Sequence, residues 1–250
     1  MRDLTGKIAI VTGGARGIGQ AIIRRLAEDG ADVVCIDIGA SDETCSMVKA
    51  LGRKALGLVA DVSSLDELAT AAAEVEKQFG PAHILVNNAG LHPHMTTFDK
   101  LTPELWRKTM SVNFDSMFYA AKCFVPQMQR NRWGRIVNMS SSVVNVAPPG
   151  GIHYVASKAG VLGLTRGLAR ELGEYNITVN AIAPSIVETP GFEAMGLSQD
   201  MLDAVVAQQS IKTLTQVSDL TGTVAFLCSQ DARLYTGQHV HIDGGIVFGD

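Results

Sequence analysis

The chain has 250 residues, 46% of them hydrophobic and 18% charged, with a formal net charge of −4. That length and apolar content fit one α/β domain, residues 1–250, better than two small ones. The acidic balance argues against a nucleic-acid partner, and no stretch approaches a membrane span of ~20 residues. Cys35, Cys45, Cys123 and Cys228 stand far apart with no metal-type spacing, so reduced thiols and a cytoplasmic location are expected.

In chain order, short apolar or β-branched runs alternate with longer segments of helical period. Strands are predicted at 8–11, 32–36, 54–59, 83–86, 135–139, 178–182 and 238–242, and helices at 18–28, 64–79, 102–129, 154–174 and 217–229. Most of these strands are apolar throughout, as happens when helices cover both faces of a parallel sheet. The alternation therefore implies right-handed crossovers and a doubly wound sheet of about seven strands. Ser64 with Glu67 reads as a capping box, and Thr102-Pro103-Glu104 as cap, first-turn proline and acid. Residues 184–212 break the alternation, carrying apolar residues but no strand of their own. They follow a strand at the edge where open α/β sheets bind ligands, and are expected to form a substrate lid.

The stretch "KIAIVTGGARGIGQAI", residues 7–22, runs from a strand through Gly13, Gly17 and Gly19 into a helix. Glycines permit a tight turn, and the N–H groups and dipole of a helix start attract a pyrophosphate. Asp37 follows about 20 residues after the loop, at a strand end, where a carboxylate bonds both ribose hydroxyls. Arg16 is a counter-signal, because a basic residue there meets a 2′-phosphate. Asp37 would repel that phosphate, so NAD is expected and NADP less so, with Arg16 exposed over the adenosine. Further on, Tyr154 and Lys158 are four apart and share one helix face. A tyrosine of pKa ~10 is a poor base, and a nearby ammonium favours its phenolate and lowers that value.

"TGGARGIG" (12–19), "DV" (61–62), "NNAG" (87–90), Asn113, "IVNMSS" (136–141), "YVASK" (154–158) and "NAIAP" (180–184) occur in that order. Together they resemble the classical short-chain dehydrogenase/reductase family over essentially the whole chain. The resemblance implies a Rossmann fold and a set of roles. Tyr154 exchanges a proton with the substrate oxygen, and Lys158 holds the nicotinamide ribose and depresses the tyrosine's pKa. Ser141, thirteen residues before the tyrosine, steadies the substrate carbonyl. Asn113, in a disturbed part of the 102–129 helix, holds a water in a proton relay. Gly13, Arg16, Gly17, Ile18, Gly19, Asp37 and Ile38 hold the pyrophosphate and adenosine, and Asp61 and Val62 flank the adenine. Asn88, Ala89 and Gly90 line the cleft, while Pro184, Val187 and Thr189 border the nicotinamide. The family usually has Pro-Gly where this chain has Pro184-Ser185. Serine is less free at positive φ, so a slightly different loop path is expected.

Substrate contacts are expected from His92, His94, Ser141, Val143, His153 and Ser185, and from Phe192 and Met195 in the lid. Apolar and sulfur-containing residues dominate there, which favours a neutral, fairly hydrophobic small molecule. The pairs His92/His94 and His239/His241 lack further ligands at useful spacing, so no metal is expected. The leading expectation is NAD-dependent interconversion of a secondary alcohol and a ketone. One alternative is a 3-oxoacyl-[acyl-carrier-protein] reductase using NADPH, with Arg130 and Arg132 read as a solvated turn rather than a docking patch. The other is a non-catalytic nucleotide-binding protein on the same fold. The resemblance also implies a homotetramer, paired through the 102–129 and 154–174 helices. Gly160, Gly163 and Gly167 cost helix propensity that a close helix approach would explain.

Overall fold

A computed structural model of the chain describes residues 3–189 and 198–248. Its centre is a seven-stranded parallel sheet of strand order β3-β2-β1-β4-β5-β6-β9, built from β1 (Ile8–Thr12), β2 (Asp32–Asp37), β3 (Ala55–Val59), β4 (Ile84–Asn87), β5 (Gly134–Met139), β6 (Ile177–Pro184) and β9 (His239–Ile242). All seven predicted strands are present within two residues at each end. The order reverses between β1 and β4, which pair in parallel through Ala9–Ile84, Ile10–Leu85 and Val11–Val86. At such a reversal the two flanking crossovers leave in opposite directions and open a crevice above the strand ends.

Helices cover both faces. Those that pack on the sheet include α1 (Gly17–Glu28), α3 (Leu65–Phe79), α5 (Ser116–Asn131), α7 (Ile152–Leu172) and α9 (Val217–Leu227). One core layer joins Ile10, Val34 and Ile36 to Leu68, Val75 and Phe124, and the other joins Ala9, Val11 and Val86 to Ile22, Ile23, Leu26 and Val224. Alternate residues of each central strand thus face opposite layers, which is why those strands read as unbroken apolar runs. The edge strand β3 is only partly buried.

Three local differences from the sequence expectation have physical causes. Ser64 caps α3 by accepting from Glu67 N–H, but the Glu67 carboxylate accepts from Asp61 N–H instead of Ser64, so only half of the capping box forms. The segment read as strandless carries β7 (Val187–Glu188), paired in parallel with β8 (Thr215–Gln216), and a helix α8 (Gln199–Gln208) capped by Ser198. Two-residue strands leave no periodic trace. The helices α2 (Asp42–Ala50) and α6 (Val143–Val146) also went unpredicted, one too polar and one too short for a clear period.

The predicted 102–129 helix is interrupted. It begins at α4 (Pro103–Met110), capped by Thr102 accepting from Leu105 N–H, widens into a π turn at Ser111–Asp115, and resumes as α5. Gly160 explains part of the fit, since a Cβ there would lie 3.0 Å from the Phe114 ring, inside the π turn. Gly163 and Gly167 have nothing within 4 Å of such a Cβ among the described residues, so packing within the chain accounts only for Gly160. Gly160→Ala should therefore push Phe114 and the adjoining Asn113. We expect a lower melting temperature together with reduced turnover, read by thermal melts and steady-state assay of the same preparation; unchanged values of both would contradict the packing role.

Candidate active site

The carboxyl ends of β1, β2, β4, β5 and β6 bring the motifs together. After β1 the chain turns through Gly13 at φ +65° and Gly17 at φ +60°, conformations that a Cβ disfavours. Close approach also requires glycine: a Cβ on Gly13 would lie 2.8 Å from Ala89 Cα, and one on Gly19 would lie 2.1 Å from the Gly13 carbonyl oxygen. Thr12 Oγ1 accepts from the backbone N–H groups of Asn88 and Ala89 at 3.1 and 3.0 Å, while the Asn88 amide donates to the Thr12 and Gly13 carbonyls. Thr44 donates to the carbonyls of Gly14 or Ala15 and receives Gln20 Nε2. These bonds use up the loop's carbonyls on the protein side. The start of α1 keeps unpaired N–H groups, as every helix start does.

Asp37 ends β2 beside this loop. One carboxylate oxygen accepts from Ala15 N–H at 3.0 Å and the other from Gly39 N–H at 3.2 Å, which fixes its direction and leaves acceptor capacity on both oxygens. Arg16 is exposed and Ile38 is 75% exposed. Val62 is buried and Asp61 exposed, its carboxylate accepting from Ser63. Across from the loop, Thr189 lies 3.9 Å from where a Gly17 Cβ would stand. The loop, the α1 start, Asp37 and Thr189 thus border one groove with a bare-backbone wall, and these residues fit a dinucleotide. Val187 is buried, and Ser185 donates its N–H to Ile242 at 3.3 Å. Ser185 is not among the residues at positive φ, so serine is accommodated there without strain.

At the other end of the groove stand Ser141, Tyr154 and Lys158. The side chain of Ser141 hydrogen-bonds to Tyr154. Lys158 is 4% exposed, donates to the Met139 carbonyl at 2.8 Å, and has its Nζ 5.8 Å from the centre of the Tyr154 ring. Burial pushes the Tyr154 phenol up to about 12, opposed only in part by the Ser141 bond, and burial pushes the Lys158 ammonium down to about 8. The phenol of the protein on its own is thus raised by burial, where a lowered value was expected beside the lysine.

Asn113 is fully buried in the π turn. Its Oδ1 accepts from Leu91 N–H at 2.6 Å and its Nδ2 donates to the Leu91 carbonyl at 2.9 Å, with Ser157 Oγ at 3.4 Å. The side chain thus spends its amide on the backbone that follows "NNAG". Gly90 fits against it, since a Cβ there would be 3.3 Å from Asn113 Oδ1 and 3.7 Å from Lys158 Nζ. Just beyond, the His92 ring packs on Tyr154 with centroids 5.0 Å apart. His94 is exposed, while His153 is fully buried with neither ring nitrogen hydrogen-bonded among the described residues. Val143 is half-buried and donates its N–H to Ser141 Oγ. Phe192 and Met195 lie outside the described residues.

The family model described as enoyl-(acyl carrier protein) reductase matches residues 13–247. The chain belongs to the classical short-chain dehydrogenase/reductase family. A 3-oxoacyl-[acyl-carrier-protein] reductase FabG from Staphylococcus epidermidis is 38% identical over 243 residues, covering 96% of this chain and 98% of the relative. Among solved structures, carveol dehydrogenase from Mycobacterium avium in complex with NAD is 30% identical with a TM-score of 0.91, covering 98% of this chain and 99% of that one. An NAD+-bound xylitol dehydrogenase is 29% identical with a TM-score of 0.90, covering 96% and 99%. The family places this chain among the oxidoreductases. The curated relatives point toward the 3-oxoacyl alternative more than toward a simple alcohol. Among the described residues, no helix is long and apolar enough to cross a membrane, and no group of three or more His, Cys, Asp or Glu is arranged to hold a metal ion.

Sequence reading missed Thr12 and Thr44 as loop supports and the Met139 carbonyl as the partner of Lys158. Thr12 lay in plain sight as the first letter of the glycine motif. A backbone carbonyl leaves no sequence signal at all.

The lysine carries a stability consequence. Below about pH 8 the folded chain holds a buried ammonium at a cost on the order of 3 kcal/mol. As pH rises from there to the ordinary lysine range, the folded state sheds the proton first and the fold gains stability. Lys158→Met should melt no lower than the parent at pH 7 while losing at least a hundredfold in turnover. A clear drop in melting temperature at pH 7 would contradict the account of this charge.

Proposed function

We propose that this oxidoreductase uses NAD(H) to interconvert a ketone and a secondary alcohol at Tyr154, and that 3-oxoacyl esters or thioesters are its favoured substrate class. The observation that carries the chemistry is the Ser141–Tyr154–Lys158 set at one end of a groove whose other end is the glycine loop and Asp37. The 3-oxoacyl class is supported by FabG relatives matching nearly end to end. The cofactor choice is supported by Asp37, aimed along the loop with free acceptor capacity, and by two similar structures solved with NAD.

A bound nicotinamide dinucleotide supplies or accepts the hydride. The chain's residues orient the reactants and manage the proton. Gly13, Gly17, Ile18, Gly19 and the α1 start receive the pyrophosphate, and Asp37 accepts from the adenosine ribose. Val62 and Asp61 border the adenine, Asn88, Ala89 and Gly90 form the cleft wall, and Pro184, Val187 and Thr189 border the nicotinamide end. Ser141 and Tyr154 donate to the ketone oxygen. In the reducing direction the Tyr154 hydroxyl gives its proton to that oxygen, a task for which a protonated phenol is the correct starting state. In the oxidising direction the phenolate must form, and the Lys158 ammonium is the cation near it. Asn113 acts through Leu91, holding the loop that carries His92.

A second reading, a neutral alcohol unconnected with a carrier, is favoured by one observation. Arg130 pairs with Glu76, and Arg132 donates to the Glu174 carbonyl, so both basic residues of that turn are engaged within the chain. We propose a cytoplasmic homotetramer on family grounds, with the open Gly163 and Gly167 face of α7 as one contact.

A panel of acetoacetyl-carrier protein, ethyl acetoacetate and simple ketones, followed by absorbance of NADH and NADPH, tests the reading. Turnover should be fastest on a 3-oxoacyl compound and should prefer NADH. Tyr154→Phe should lose turnover by at least a thousandfold while NADH affinity changes little, and Asp37→Ala should weaken the preference for NADH over NADPH at least tenfold. Turnover in the first variant within about tenfold of the parent, or an unchanged preference in the second, would overturn the corresponding assignment.

A further inference from the structure

The sequence places His92 among the expected substrate contacts, and the chemistry above gives it no specific role. It directly follows Leu91, whose N–H and carbonyl are both taken by the Asn113 side chain. This two-point bond fixes the backbone as a strand partner would, although residues 91–97 form a loop with no regular structure. One residue beyond the clamp, the imidazole lies against the phenol ring of Tyr154, with centroids 5.0 Å apart and the planes tilted by 53°. The histidine thus follows directly on a residue whose backbone a buried asparagine holds, and its own ring packs on the tyrosine.

Apart from a hydrogen bond to its own backbone, its ring stays open to a ligand. No hydrogen bond joins its ring nitrogens to any other described residue, and the residue is exposed. Burial against its neighbours, with smaller contributions from Lys158, His94 and His153, pushes its pKa down. A neutral imidazole keeps one N–H donor and one lone pair. An oriented donor beside the tyrosine suits an oxygen on the substrate other than the one that reacts.

We infer that His92 is the residue by which this site recognises a second oxygen on the substrate, the ester or thioester carbonyl two carbons from the reacting ketone. With the ketone oxygen on Ser141 and Tyr154, a 3-oxoacyl chain puts its second carbonyl a few ångström away, the span between two packed rings. The His92 N–H donates to it. A monoketone has nothing to offer that donor, and a site built to bond an oxygen rejects an analogue lacking it. This inference rests on the reading of Ser141 and Tyr154 as the receivers of the ketone.

The test compares the parent with His92→Phe, which keeps an aromatic ring on Tyr154 but has no donor, and with His92→Gln, which keeps a donor on a flat side chain. Each is assayed on ethyl acetoacetate and on 2-hexanone with the reduced cofactor that the parent prefers. The expected result is a fall of at least tenfold in the ratio of kcat/KM for the 3-oxoester to that for the monoketone in His92→Phe, with partial recovery in His92→Gln. An unchanged ratio in His92→Phe overturns the inference, whether both rates hold or both fall together. In the latter case the ring serves only to position Tyr154. A parent that turns over neither compound overturns the functional reading itself, and the inference with it, which separates that failure from a loss of discrimination.

Discussion

A lysine ammonium lies almost wholly inside this protein, and among the described residues no carboxylate pairs with it. It donates to the carbonyl of Met139, at the end of the central strand β5. Such a charge is costly to bury, and the surrounding structure is arranged around the need to keep it. The charge sits on a 21-residue helix, one turn beyond Tyr154. Polar groups crowd the same strand end, where Ser140 Oγ donates to the Lys158 carbonyl and meets the His239 ring at 3.2 Å. The burial that costs stability also raises the Tyr154 phenol and lowers the lysine. In that state the tyrosine is ready to donate a proton, while making the phenolate requires further positive charge near it. On the function proposed above, the direction of catalysis follows the electrostatics of the groove rather than the tyrosine alone.

A second constraint is the amide of Asn113. The π turn that carries it adds one residue to a helical turn, which changes the direction in which that side chain points. Facing inward, the amide pairs with both backbone groups of Leu91. Catalysis depends on holding donors within a fraction of an ångström of their targets. Here that precision reaches a loop through a side chain and not through sheet pairing. It joins the helix at Asn113, the loop at His92 and the ring of Tyr154 into one packed unit.

Much of this was legible in the sequence, for definite reasons. Buried parallel strands must be apolar on both faces, so runs such as 8–11 and 84–86 announce themselves. Glycines at 13 and 19 are demanded by close backbone contact, and their spacing survives as a motif. The disturbance around Asn113 was expected from resemblance, because a π turn changes no residue's helical character. What stayed hidden depends on contacts distant in sequence. The half-formed capping box at Ser64 arises because Glu67 finds Asp61, and the β7–β8 pair joins residues 28 apart. The tyrosine's high pKa was also beyond sequence reading, because the four-residue spacing gives a shared helix face but not the depth of burial.

The central claim is that the groove brings a reduced nicotinamide and a ketone together so that hydride passes directly between them. The most direct measurement uses NADH deuterated at the transferable C4 position with a ketone turned over by the protein, and weighs the alcohol by mass spectrometry. The account predicts an alcohol carrying one deuterium on the carbinol carbon, and none in the Tyr154→Phe control because no product forms. Alcohol without label from fully labelled cofactor would contradict direct transfer and the function built on it.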